Sequence, residues 1–212
     1  MSNEHSWIEA MAEVRPVMDR LHQAREEALG QARKLIQTAS KSIRFCHRRQ
    51  FDEAQRLLDE AKALAAHARS AADDSPEILY AGYLQDAEKE LVEAAAVLAM
   101  ALGRPVPTAN QLQVQAASYL HGMGEAASEI RRYVLDEVRS GNMAEAERLL
   151  GIMEAVYESL IGFDFPDGLT GGLRRTTDAL RAVLERTRSD VTATSIQVEL
   201  IQALREASRE EK

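Results

Sequence analysis

Apolar residues recur every three or four positions along almost the whole chain, and that spacing belongs to one face of an α-helix rather than to a strand. The first such series runs through Trp7, Met11, Val14, Met18, Leu21, Ala28, Ala32, Ile36, Ala39 and Ile43. A second runs through Phe51, Ala54, Leu58, Ala61, Leu64 and Ala68 before DDSP stops it. Alternating strand patterns are nearly absent, Ala is abundant, and only 11 Gly and 5 Pro punctuate 212 residues. The predicted fold class is all-α, with residues 1–212 forming a single-domain bundle of about six or seven antiparallel helices.

Local signals set the expected boundaries. Pro16 kinks or starts the first helix, because proline removes one backbone hydrogen bond. Ser75-Pro76-Glu77 reads as a hydroxyl cap with proline at the first helical position, opening a third helix that runs to Leu102 and stops at Gly103. RPVPT is a loop, in which Thr108 and Gln111 have capping-box spacing. A fourth helix, with a break near Ala116, stops at Gly141. Asn142 and Glu145 repeat the cap pattern before a fifth, which ends in FDFPDGLTGG. Two more are expected over about Leu169–Arg188 and Val191–Ala207.

Hydrophobic residues at 45% and charged residues at 28% mark a folded chain rather than a disordered one. The single cysteine, Cys46, rules out an intrachain disulfide framework and a cysteine-based metal cluster within one chain. The acidic, interrupted start MSNEHSWIEAMAEV lacks the basic-then-apolar layout of a signal peptide, and no stretch approaches a membrane span. A cytoplasmic protein without membrane contact is expected. A net charge of −8 argues against indiscriminate coating of nucleic acid. Yet from Ala28 to Phe51 there is no Asp or Glu, while Arg33, Lys34, Lys41, Arg44, Arg48 and Arg49 all fall there.

Two clusters carry candidate chemistry. In KELVEAAAVLAM, Glu90 and Glu93 share a helix face within an otherwise apolar run, and in SYLHGMGEAASEIRR, His121, Glu125 and Glu129 follow at i+4 steps. Gly122 and Gly124 remove side chains beside that stripe and let another helix approach closely. If the two helices pack together, four carboxylates converge and repel, which a divalent cation relieves. An all-oxygen set suits Mg²⁺ or Mn²⁺, and phosphodiester hydrolysis is then the natural reaction class. The alternative is that these glutamates are solvated or neutralised by Arg131 and Arg132, with His121 simply packed. The basic segment SKSIRFCHRRQ offers Lys41, Arg44, His47, Arg48 and Arg49 to a phosphate backbone, with Phe45 or Phe51 stacking on bases if exposed. Its alternative is a polar helix end stabilised by its own cations.

With these features in this order, the chain resembles the translin/Trax family over roughly residues 30–205. The resemblance rests on SKSIRFCHRRQFDEAQRLLDEA, ELVEAAAVL, SYLHGMGEAASEIRRYVLDEVRSGNMAEAERLL and DGLTGGLRRTTDALRAVLERTRSDV. It implies an all-α protein that assembles into a hollow octameric shell and binds RNA and single-stranded DNA. Within the family, Trax cleaves RNA with Mg²⁺ through acids on two helices. Its E-x-x-E-A motif is met by Glu90, Glu93 and Ala94, and its Y-L-x-G motif with two acids by Tyr119, Leu120, Gly122, Glu125 and Glu129. Glu125 stands where Trax has aspartate, and a further Trax acid falls at Ala87, with Asp86 and Glu88 as neighbours.

The resemblance therefore implies a homo-oligomer, an octamer, that cleaves single-stranded RNA. Glu90, Glu93, Glu125 and Glu129 would serve as metal ligands and catalytic groups, and Lys41, Arg44, His47, Arg48 and Arg49 would contact RNA. A translin-type shell that binds RNA or single-stranded DNA without cleaving it is the rival, and a purely structural helical partner a third. Leu173, Leu180, Val183, Leu184, Val191, Ile196, Leu200 and Ile201 are candidate subunit contacts or core.

Overall fold

The computed structural model describes the backbone of residues 3–210 and the side chains of residues 6–209; the chain termini at 1, 2, 211 and 212 lie outside the described residues. The fold is all-α, with no strand among the described residues. Helix α1 spans Asn3–His47 and α2 spans Phe51–Ala72, joined by a tight turn in which Arg49 takes a left-handed conformation (φ 58°). The two form a hairpin along an alanine seam: Ala28, Ala32 and Ala39 of α1 and Ala54, Ala61, Ala65 and Ala68 of α2 are all buried. Small side chains there shorten the distance between helix axes. Ser42 Oγ donates to the Ala54 carbonyl at 2.7 Å across the seam, which satisfies a buried hydroxyl.

After the single turn α3 (Pro76–Leu79), the chain reverses through Gly82 at φ 90° and enters α4 (Tyr83–Ala101). Helix α4 is the hub. Every residue from Leu91 to Met100 is buried, because α1, α2 and α6 pack around it. A second short turn, α5 (Ala109–Leu112), precedes α6 (Ala116–Ser140), α7 (Met143–Ile161), the turn α8 (Asp167–Thr170) and α9 (Leu173–Glu210).

Several expected boundaries hold. The capping box of Thr108 and Gln111 forms reciprocally, at 3.2 and 2.8 Å, and Gly141 ends α6 in the left-handed conformation. The break near Ala116 is real: Gln113 at φ 54° separates α5 from α6. Others do not hold. Helix α1 runs unbroken through Pro16. The helix expected to start at Ser75 is only a turn, whose Ser75 hydroxyl caps nothing, and Gly82 restarts it as α4. The Asn142 side chain likewise makes no cap and instead donates to Glu137 at 2.8 Å.

The two last helices are one. Arg188-Ser189-Asp190 contains neither Gly nor Pro, and Asp190 is gripped by Arg131 of α6 at 2.8 Å, so the backbone ladder continues. Leu173, Leu180, Leu184 and Val191 are therefore core, whereas Ile196, Leu200 and Ile201 are exposed. Residues 6–20 of α1 are exposed throughout, including Trp7, Met11, Val14 and Met18. Both long helices thus run past the bundle as arms with bare apolar stripes.

Candidate functional site

The close approach of α6 to α4 brings the acids together. At Gly122, an added Cβ would sit 2.6 Å from both the Lys89 carbonyl oxygen and Val92 Cβ, so only glycine allows this crossing. Gly124 serves a different neighbour, facing Thr176 of α9 at 2.6 Å from its would-be Cβ. With the helices locked at Gly122, one carboxylate oxygen from each of Glu90, Glu93 and Glu125 lies within 4.8 Å of the others.

The three acids have unlike surroundings. Glu93 is only 8% exposed and has no hydrogen bond or ion pair among the described residues. Burial, then the charges of Glu90, Glu125 and Glu129, push its carboxyl up to about 8, against a smaller opposing pull from Lys89. Glu125 and Glu90 are instead served by Lys89, whose Nζ lies 2.8 Å from Glu125 Oε2 and 3.5 Å from Glu90 Oε1. Burial pulls the Lys89 ammonium down, but its bond to Glu125 and the charges of Glu125 and Glu90 outweigh that and leave it above its ordinary value.

Glu129 stands beside this trio rather than in it. His47 Nε2 is 2.8 Å from Glu129 Oε2, and this bond holds the carboxyl below the usual carboxylate range despite partial burial, with Arg132 adding a smaller pull. His47 itself is buried against Tyr133, ring centroids 5.5 Å apart, with Nδ1 unpartnered. The expectation of four equivalent ligands thus becomes three converging oxygens and a fourth acid already engaged by histidine. Neither neighbour of Ala87 joins them. Glu88 is buried and held by Arg69 at 3.0 Å and by the Gln115 amide at 3.0 Å, and Asp86 is exposed.

A pocket of about 360 Å³ lies over the acids, lined by Glu90, Glu93 and Glu129 together with Ser40, Arg44, His47 and Arg132. Of the basic segment, Arg44 and His47 reach it. Lys41 and Arg48 are exposed elsewhere on α1 and its turn, and Arg49 is ion-paired to Glu137 with its guanidinium 6.0 Å from the Tyr133 ring. Phe45 and Phe51 are half-buried and packed against the core rather than standing free in solvent. His121 bridges Thr176 Oγ1 and the Thr170 carbonyl at 2.6 and 2.7 Å, a packed histidine that staples α8 and α9 to α6.

The sequence offers Arg132 only as a neutraliser of the glutamates and assigns no place to Lys89 or Ser40. Spacing carried part of the signal: Ser40, Arg44 and His47 are four and three residues apart, one helix face, and Lys41 and Arg48 fall off it. An all-oxygen donor set around an unpartnered buried carboxylate fits a hard divalent cation, Mg²⁺ or Mn²⁺, with Glu90, Glu93 and Glu125 as the residues to hold it.

No family model matches the chain. It is 31% identical over 169 residues to an uncharacterized protein of Methanocaldococcus jannaschii, a match covering 79% of this chain and 74% of that protein. Among solved structures, AfC3PO superposes with a TM-score of 0.82 and 36% identity over 89% of this chain and 98% of its own. The AfC3PO chain in a complex with duplex RNA gives 0.81 and 35%, over 89% and 97%. Apo-NeC3PO, at 20% identity, shares the fold, with a TM-score of 0.77 over 87% of this chain and 96% of its own. Near-complete coverage of AfC3PO at this identity, on an all-α architecture whose two central helices carry the expected acidic motifs, shows that the chain belongs to the translin/Trax family.

Proposed function

We propose that this protein is a divalent-cation-dependent endoribonuclease that cleaves single-stranded RNA inside a homo-oligomeric shell of eight copies. The observation that carries this reading is the convergence of Glu90, Glu93 and Glu125, two of which, Glu90 and Glu93, line a pocket that also presents Arg44 and Arg132. Mg²⁺ or Mn²⁺ held there would supply water activation and charge stabilisation at a phosphate. Glu125, the most accessible of the three acids, receives the proton of the attacking water. Arg44 and Arg132 neutralise the flanking phosphates, His47 keeps Glu129 oriented at the pocket wall, and Lys41, Arg48 and Arg49 extend the backbone contact beyond it. The AfC3PO complex with duplex RNA supports RNA as the ligand class. The bare apolar stripes of α1 and α9 support assembly, since exposed patches of this kind mark contact surfaces.

One observation favours the rival, a non-catalytic RNA-binding oligomer: Lys89 already neutralises two of the three acids. Cleavage of a labelled single-stranded RNA with Mg²⁺ or Mn²⁺, with EDTA, and with a Glu90→Ala/Glu93→Ala protein separates the two readings. The nuclease reading expects EDTA and the double substitution each to reduce cleavage about a thousandfold or more while assembly and RNA binding persist. Cleavage that survives both treatments rejects it; RNA bound but never cut leaves the binder. A duplex substrate run alongside tests strand preference.

A further inference from the structure

We propose that Lys89 is a tethered counter-ion that a divalent cation must displace, and that it thereby sets the affinity of the carboxylate cluster for that cation. This rests on the reading of Glu90, Glu93 and Glu125 as a cation site. Lys89 Nζ already occupies the electrostatic position of the ion, 2.8 Å from Glu125 Oε2 and 3.5 Å from Glu90 Oε1. Lys89 Nζ contacts both oxygens of Glu125, at 2.9 Å from Oε1 and 2.8 Å from Oε2, so a cation bound through Glu125 shares an oxygen with the ammonium, and two cations in contact with one carboxylate repel. Glu93, the third acid, is left with no cation and no donor although it is nearly fully buried. The lysine therefore satisfies two of the three carboxylates, and the remaining one keeps the cluster receptive to a second, doubly charged ion.

The backbone cannot move to make room. The Lys89 carbonyl lies against Gly122, where an added Cβ would sit 2.6 Å from it, so the exchange occurs in the side chain. Lys89 is suited to it. Its stem is long and flexible, its ammonium is strongly hydrated, and the side chain is one-quarter exposed, giving it a route to solvent. With the ion absent the lysine holds the acids together; with the ion present it swings outward. Such an arrangement keeps the metal-free protein intact and makes loading a competition rather than simple filling.

The test is Mn²⁺ binding measured by isothermal titration calorimetry on the full-length wild type, Lys89→Met and Lys89→Arg. Removing the tethered charge in Lys89→Met is expected to tighten binding about tenfold or more, and retaining it in Lys89→Arg to leave binding within about threefold of wild type. Equal or weaker Mn²⁺ binding by folded Lys89→Met than by wild type overturns the proposal and leaves the cation site standing. Absence of Mn²⁺ binding in all three proteins overturns both. Should Lys89→Met not fold, the wild type decides: the ¹³Cε resonance of Lys89 must shift as Mg²⁺ is titrated to saturation, and an unmoved resonance refutes displacement.

Discussion

Glu93 is an acid whose folded environment favours the proton. Its carboxyl is raised from 4.5 to about 8, so between those pH values the folded protein retains a proton that the unfolded chain has lost. Stability from this group is complete below about 4.5 and falls as pH rises through 8. In EDTA, wild type should therefore lose stability between pH 5 and pH 8 relative to Glu93→Gln, as measured by urea unfolding at each pH; parallel profiles would contradict the assignment. Gly122 is the second decisive residue. A methyl group there meets both the Lys89 carbonyl and the stiff, β-branched side chain of Val92, so Gly122→Ala should cost about 1–3 kcal/mol in denaturant unfolding and also part the acids. The i+3 spacing of Glu90 and Glu93 and the small residue at 122 are visible in the chain itself. The partners of these residues are not: Lys89 with Glu125 and His47 with Glu129 are 36 and 82 positions apart, and their meeting depends on how two or three helices are registered.

At the scale of elements, helix propensity and punctuation place most of the structure, and the misplacements have a common cause. Asn142 has cap chemistry but its side chain is drawn to Glu137, and the buried Ser75 hydroxyl caps nothing in the single turn it precedes. At 188–190 no breaker exists, and Arg131 holds the helix against α6, so one long α9 replaces two shorter helices. Arg69 shows how elements are pinned: it pairs with buried Glu88, which in turn accepts from the Gln115 amide ahead of α6. Arg69→Ala strands that carboxylate and should destabilise the protein by about 3–5 kcal/mol in thermal or denaturant unfolding. The arms behave oppositely. Leu200 and Leu204 touch no core, so Leu200→Glu/Leu204→Glu should leave the stability of an isolated subunit within about 0.5 kcal/mol while reducing the assembled mass seen by light scattering. A fall in subunit stability with unchanged mass would show that α9 folds back on its own bundle.

For the molecule as a whole, an acidic chain is proposed to bind a polyanion, which requires its cations to be gathered locally. Arg44 and Arg132 come from α1 and α6 to one pocket, next to acids that an ion would neutralise. Replacing both with Ala should weaken RNA binding and lower the slope of log affinity against log salt by about 1 per arginine lost. An unchanged slope would move the RNA path away from this pocket.

The sequence by itself determined that the chain is helical, where most helices begin and end, and that two pairs of acids at helical spacing lie on two separate helices, because these properties follow from backbone geometry and from neighbours within a turn or two. Only the tertiary structure decided which acids share a site, that a lysine already sits among them, that histidine has taken the fourth, and that both long helices leave the bundle with their apolar faces bare. Those outcomes depend on the register and depth at which α1, α4 and α6 pack, and that depth is set by steric contact at residues such as Gly122 between segments remote along the chain.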